Sequence, residues 1–245
     1  MLKKVVYLLA TILLLQCCAS SLEVPLENPP ASKVLPNNFI YITPDVDPYP
    51  AIGSINYATN EKLIGTGVLI APDLVLTAAH VPQGKGDVVW IETDGDVICI
   101  SEIIYYPEDP LLPHDIAIIV LEEESNETPI ELINPSKTLI WKRMPLTTVG
   151  HGRGVKRYSS AGVFWYYGRL ISHPQFMIML PLIDTIWFGD SGGAVLTPDN
   201  KLIGIMSYFA VYNDTIYENG CASVVYYRNW IEGVKNERIL ERMVE

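Results

Sequence analysis

Phe188-Gly189-Asp190-Ser191-Gly192-Gly193-Ala194-Val195 sets a serine between an aspartate and two glycines, directly ahead of an apolar run. Glycines on both sides allow positive φ, which a β-branched residue resists, so the chain can turn sharply here. Such a turn holds a hydroxyl rigidly outward and aims neighbouring N–H groups at one point, the geometry that a nucleophile with an oxyanion pocket requires. Taken alone, the same eight residues also suit an ordinary surface turn.

Two upstream stretches narrow the reading. One is Gly65-Thr66-Gly67-Val68-Leu69-Ile70-Ala71-Pro72-Asp73-Leu74-Val75-Leu76-Thr77-Ala78-Ala79-His80; the other is His114-Asp115-Ile116-Ala117-Ile118-Ile119-Val120-Leu121. The order is His80, Asp115, Ser191, each at the edge of a strongly apolar segment. A serine hydroxyl is a poor nucleophile near neutrality and needs a base within hydrogen-bond reach. Histidine is the side chain whose ordinary pKa lies nearest that range. With Thr-Ala-Ala-His, Asp-Ile-Ala and Gly-Asp-Ser-Gly-Gly in this order, the chain resembles the chymotrypsin/trypsin-like serine peptidase family over roughly residues 48 to 235. Val149-Gly150-His151-Gly152, Gly204-Ile205-Met206-Ser207-Tyr208 and Trp230-Ile231 echo the same family.

The resemblance implies an all-β chain of two six-stranded antiparallel barrels, with the active site in the cleft between them and a C-terminal helix behind. It implies His80 as base, Asp115 as its orienting carboxylate and Ser191 as nucleophile, with the N–H groups of Gly189 and Ser191 as oxyanion hole. It implies a protein or peptide substrate, no cofactor and a monomer. In relatives the residue matching Asp190 pairs with an amine released by activation cleavage. The usual Ile-Val-Gly-Gly start is missing here, and Ile40-Tyr41-Ile42 is the nearest apolar stretch. Either another N-terminus serves, or the site forms without cleavage; a buried Asp190 needs some partner.

Specificity rests on the same resemblance. Relatives that select Arg or Lys carry an Asp six residues before the nucleophile, and here that position is Thr185. Ile186, Ser207, Tyr208, Phe209 and Gly220 complete the expected pocket, with Phe209 narrowing a mouth where many relatives have Gly. An uncharged, narrowed pocket favours small or medium apolar side chains, while Thr185 leaves Gln or Glu open. His114, on a strand face away from Asp115, and His151 and His173 are expected to be structural.

Bulk properties agree. Hydrophobic residues make up 49% of the 245, enough for a substantial core, and a formal charge of −11 argues against nucleic acid as a partner. Short β-branched and aromatic runs recur between turn residues: 52–57, 66–70, 74–77, 88–91, 97–105, 116–121, 146–149, 163–167, 176–180, 194–196, 202–208 and 222–226. The pairs Trp230–Val234 and Ile239–Met243 predict a helix over 228–244 packed by one face. The peptidase domain is expected over 39–245, with a first barrel over about 39–121, an acid-rich connection with Pro129 and Pro135 over about 122–137, and a second barrel and helix over about 138–245.

Lys3 and Lys4 precede an apolar run, Val5 to Leu15, too short to span a bilayer comfortably, and Cys17-Cys18-Ala19-Ser20 follows. Residues 1–19 therefore read as an export signal and 20–38 as a tail or pro-segment, giving a secreted or periplasmic protein. Cleavage near Ala19 would remove two lysines and no acid, taking the charge from −11 to −13. An uncleaved anchor helix and lipid attachment at Cys17 or Cys18 are the alternatives, and only they bring a membrane into play. Of the remaining cysteines, Cys99 and Cys221 either bridge or stay as buried thiols. Val81 stands where many animal relatives carry a disulfide cysteine, which marks a disulfide-poor member of bacterial style. No His/Cys cluster has metal-ligand spacing, so no metal site is expected, with calcium on surface carboxylates the one open route. The competing functional reading is a catalytically silent or zymogen-like homologue that binds a protein partner through the cleft.

Overall fold

The computed structural model describes residues 40–107, 114–167, 176–181, 187–212 and 215–243, all within the compact unit Asn38–Glu245. A two-residue strand, β1 (Ile40–Tyr41), precedes β2 (Ile52–Tyr57), β3 (Leu63–Ala71), β4 (Leu74–Thr77), β5 (Val88–Ile91), β6 (Val97–Tyr105) and β7 (Ala117–Leu121). Strands β2 to β7 form a closed antiparallel barrel in the order β2-β3-β4-β7-β6-β5. Register shifts at Ile55/Asn56, Leu69/Ala71 and Ile100/Glu102 bend the strands as closure demands. Ile55, Leu69, Val75 and Trp90 share one buried face of these strands, and Ile52, Leu76 and Ile118 are buried on the opposite face. Each such side chain contributes roughly 1.5–3 kcal/mol of transfer free energy, which here stands in for covalent cross-links.

The second half contains β8 (Pro145–Gly150), β9 (Arg157–Tyr167), β10 (Phe176–Pro181), β11 (Ala194–Leu196), β12 (Leu202–Tyr212) and β13 (Thr215–Ser223). Strand β8 pairs with both β9 and β11, so the series β8-β9-β10-β13-β12-β11 returns on itself and makes a second six-stranded antiparallel ring. The predicted all-β, two-barrel architecture is what the chain adopts. Strand β1 departs from the expected boundary. It lies in the range assigned to the first barrel, yet it pairs with β9, Ile40 opposite Tyr158.

Residues 122–144 strap the halves together. The Ile130 N–H donates to Leu69 C=O of the first barrel, and the Ile133 N–H to Leu202 C=O of the second. Leu132 and Ile133 of this strap are buried.

The C-terminal helix, α1 (Val224–Arg242), starts four residues before the expected position. Val224–Tyr226 read as strand because Val and Tyr favour that state. The buried Ser223 accepts the Tyr226 N–H and caps the helix there instead. Its packed face is Val224, Tyr227, Ile231 and Val234. The expected Ile239–Met243 contact with the core is absent: these residues are 54% and 77% exposed. Charge secures the end of α1, through Arg238 and Arg242 on the buried Asp73 carboxylate in the β3–β4 turn. Cys99 is exposed in β6, Cys221 is buried in β13, and both are free thiols.

Candidate active site

Strand β4 ends at Thr77, and the small, buried Ala78 lets the chain turn tightly, with Val81 N–H donating to Ala78 C=O at 3.0 Å. His80 sits in that turn. Its Nδ1 lies 2.9 and 3.0 Å from the two Asp115 carboxylate oxygens, and its backbone N–H donates to Asp115 Oδ1 at 3.0 Å. An ionised carboxylate only accepts, so Nδ1 carries the proton and the Nε2 lone pair is left available. The ring is 39% exposed, which leaves room for a reacting group. Burial pulls the His80 imidazolium down, but the hydrogen bond and charge of Asp115 outweigh it and leave the pKa above its ordinary value. Asp115 is the mirror case. Burial pushes its carboxyl up, and the His80 and Ser207 hydrogen bonds, with the His80 charge, bring it below the ordinary value.

Ser207, expected in the specificity pocket, turns its hydroxyl to Asp115 Oδ2. Sequence reasoning missed this role, and no local signal marks it; Ser207 follows Met206, which bonds the nucleophile turn. The N–H of Gly192 donates to Met206 C=O, and the N–H of Met206 to Gly193 C=O. A chain of contacts thus runs His80–Asp115–Ser207–Met206–Gly192–Ser191. A second approach is equally close. A Cβ placed on Gly65 would fall 2.6 Å from Val81, the neighbour of His80, and 3.0 Å from the Ser191 carbonyl. The structure brings the three expected residues to one junction between the barrels.

Around Ser191 the turn is built by glycine. Gly189 and Gly192 have φ of +98° and +84°. A Cβ on Gly192 would collide with the Thr66 carbonyl and the Thr77 hydroxyl. The Phe188 C=O accepts the Arg153 N–H at 3.0 Å, so peptide planarity sends the Gly189 N–H the opposite way. Among the described residues, neither the Gly189 nor the Ser191 N–H meets a protein acceptor. Both donors are therefore left for an acceptor from outside the protein.

Asp190 is buried, and its partner is internal. Arg157 Nη2 lies 2.5 Å from Oδ2, which also accepts the Trp187 N–H at 2.7 Å, while Oδ1 accepts the Gly152 N–H at 2.6 Å. Burial raises this carboxyl, against the opposing pull of Arg157 and the two N–H donors. Arg157 belonged to no motif, and only the unmet need of a buried Asp190 pointed to such a residue.

The other histidines separate from the site. His114 precedes β7 in place of the strand face expected for it; it packs in an aromatic cluster, 4.5 Å from the Tyr106 ring and 2.8 Å from the Tyr227 hydroxyl. His151, shut from solvent at Nδ1, is held down to about 3 by burial and by Lys156, too weak a base at neutral pH. His173, Thr185 and Ile186 lie outside the described residues, as do residues 1–39 with Cys17 and Cys18. Phe209 falls in β12, with its side chain outside the described set. Gly220 is buried opposite Tyr208, whose ring fills the space a Cβ there would need. The carboxylates of Glu92, Asp94 and Asp96 converge within 4.8 Å of one another, the one such acidic group among the described residues. No described helix is long and apolar enough to cross a membrane.

Two antiparallel barrels with a His–Asp pair on one and a serine turn on the other define a serine-peptidase-like architecture. The Trypsin family model matches residues 44–231, and the chain belongs to this family of trypsin-like serine proteases, which act on proteins or peptides. Among curated proteins it is similar to "Putative protease Do-like 12, mitochondrial" of Arabidopsis thaliana, 22% identical over 187 residues, covering 74% of this chain and 36% of that protein. The chain spans about a third of that relative's length. Among solved structures it is similar to the VesB protease of Vibrio cholerae (TM-score 0.67, 22% identity, 81% of this chain and 67% of that one). It is also similar to human heparin binding protein (TM-score 0.65, 21% identity, 81% and 96%) and to neuropsin, a serine protease of mouse brain (TM-score 0.63, 21% identity, 77% and 95%). These likenesses are of fold, and one of the three is named for binding heparin; catalysis has to be argued from the site.

Proposed function

We propose that this chain is an exported serine endopeptidase that cleaves peptide bonds through an acyl-enzyme on Ser191. The observation that carries the reading is the hydrogen-bonded string His80–Asp115–Ser207 joined to a Ser191 turn whose Gly189 and Ser191 N–H groups meet no acceptor among the described residues. In this reading the Ser191 Oγ attacks the scissile carbonyl as its proton passes to His80 Nε2. The oxyanion forms against the N–H groups of Gly189 and Ser191, where losing one donor costs on the order of 10²- to 10³-fold in turnover. His80 then gives the proton to the leaving amine, and water repeats the sequence on the acyl ester. Asp115 keeps the tautomer and offsets the imidazolium charge.

The site also assembles without an activating cut. Arg157 supplies the positive charge that a freed amine supplies in relatives, and Asp190 already accepts three donors. Cleavage after Arg or Lys is disfavoured, because Thr185 offers no charge to pair with them. Against a Gly220 already covered by the Tyr208 ring, small and medium apolar side chains fit best. Export rests on Lys3, Lys4 and the Val5–Leu15 run, with lipid attachment at Cys17 or Cys18 as the variant to be read from the mature N-terminus.

Hydrolysis of a mixed peptide library by wild type, Ser191→Ala and His80→Ala proteins tests the reading. Both variants should fold, and Ser191→Ala should lose kcat by up to about 10⁶-fold. Equal rates in wild type and Ser191→Ala would remove the assignment, and hydrolysis by none would favour a silent, partner-binding homologue.

A further inference from the structure

Thr66 is fully buried in β3, and each of its polar atoms is engaged at the junction. Its N–H donates to Ser191 C=O at 2.8 Å, and its hydroxyl donates to Gly189 C=O at 2.7 Å. The same hydroxyl accepts the His151 N–H at 3.0 Å. Its carbonyl accepts the hydroxyl of Thr77, the last residue of the strand that leads to His80, at 2.8 Å.

Gly189 is where such support matters. At φ +98° it lies in a region that glycine leaves easily, since no Cβ confines it. Its N–H lies in the peptide plane before it, and the Gly189 φ and ψ relate that plane to the one after it, so the turn holds the N–H direction only if both planes are held. Arg153 holds the plane before it through Phe188 C=O, and Thr66 holds the plane after it through Gly189 C=O. Asp190 and Arg157 anchor the turn from within the second barrel, whereas Thr66 ties it to the strand pair that carries the base.

We propose that Thr66 is a positioning residue: its hydroxyl locks the Gly189–Asp190 peptide, and with it the Gly189 φ and ψ that set the Gly189 and Ser191 N–H groups relative to each other, and its link to Thr77 sets that turn against His80. The proposal rests on the peptidase reading above for its kinetic consequence, and on geometry alone for its structural one.

Thr66→Val keeps the shape and removes the hydroxyl, while Thr66→Ser keeps the hydroxyl. In folded protein, Thr66→Val should lower kcat about 10- to 100-fold, the scale of small misplacement at a reacting centre, with KM within about threefold. Thr66→Ser should stay within about threefold of wild type. A purely structural role would lower the melting temperature and leave kcat per folded molecule unchanged, and that result overturns the proposal. Nitrogen-15 amide spectra of the same proteins give the second readout. The Gly189 and Ser191 signals should shift and broaden in Thr66→Val and be restored in Thr66→Ser. Unchanged signals overturn the proposal whether or not the wild type hydrolyses peptides; a wild type without hydrolysis defeats the peptidase reading alone. If Thr66→Val does not fold, Thr66→Ala is read in its place by the same criteria.

Discussion

Asp115 collects three donors: the ring N–H of His80, the backbone N–H of His80 and the hydroxyl of Ser207. All three favour its charged form, and that charge in turn favours the charged form of His80. The sign of the pH dependence follows. A base must be neutral to take the Ser191 proton, so activity rises as pH climbs through the His80 pKa. Because Asp115 holds that value above the ordinary imidazole range, the acid limb of kcat/KM should have its midpoint above about 6.5. Asp115→Asn removes the charge and leaves burial to act alone, so the midpoint should fall while kcat drops about 10⁴-fold. An unchanged midpoint in Asp115→Asn would contradict the pairing. His80, Asp115 and Ser191 were legible as candidates because each lies in a short motif at the edge of an apolar run. Ser207, Thr66 and Arg157 were not, because their roles arise from contacts across 92, 123 and 33 residues of chain.

Strand β9 shows what an element adds. Lys156 and Arg157 enter it in extended backbone, where consecutive side chains face opposite ways. Lys156 reaches Asp47, the Tyr49 carbonyl at 2.8 Å and Thr93 at 2.6 Å; Arg157 reaches Asp190. One dipeptide thereby fastens the entry of the first barrel and the nucleophile turn of the second. Arg157→Met should cost about 3–5 kcal/mol in urea unfolding, since it leaves a buried carboxylate without its cation. Adding Asp190→Asn should recover part of that loss; no recovery would mean that Arg157 acts through packing alone. Strands β4, β5 and β6 were readable to the residue, because Gly, Pro and Asp punctuate clean apolar runs. Strand β9 was readable only from Val163, since Arg157, Ser159 and Ser160 mask its start. The β13–α1 boundary differs from the one the sequence suggests because a capping serine outweighs the β-favouring Val224, Val225 and Tyr226.

Across the whole molecule, strand spacing left sandwich and barrel open, and the number of barrels was legible only through the family resemblance that the motifs carry, while the ties between barrels were not legible. The strap at 130–133, the Lys156–Asp47 pair and Thr66 each connect the first half to the second. None leaves a periodic trace, because a single polar contact between distant residues changes no local pattern. Together they hold the His80 strand against the Ser191 turn, which supports the proposal that the fold itself assembles the site. Fluorophosphonate labelling of the chain, with mass spectrometry to locate the adduct and to verify that no cut lies between Leu35 and Pro48, tests this most directly. The account predicts an adduct on Ser191 in uncut protein that disappears in His80→Ala. Labelling that appears only after proteolysis, or that persists in His80→Ala at the wild-type rate, would contradict it.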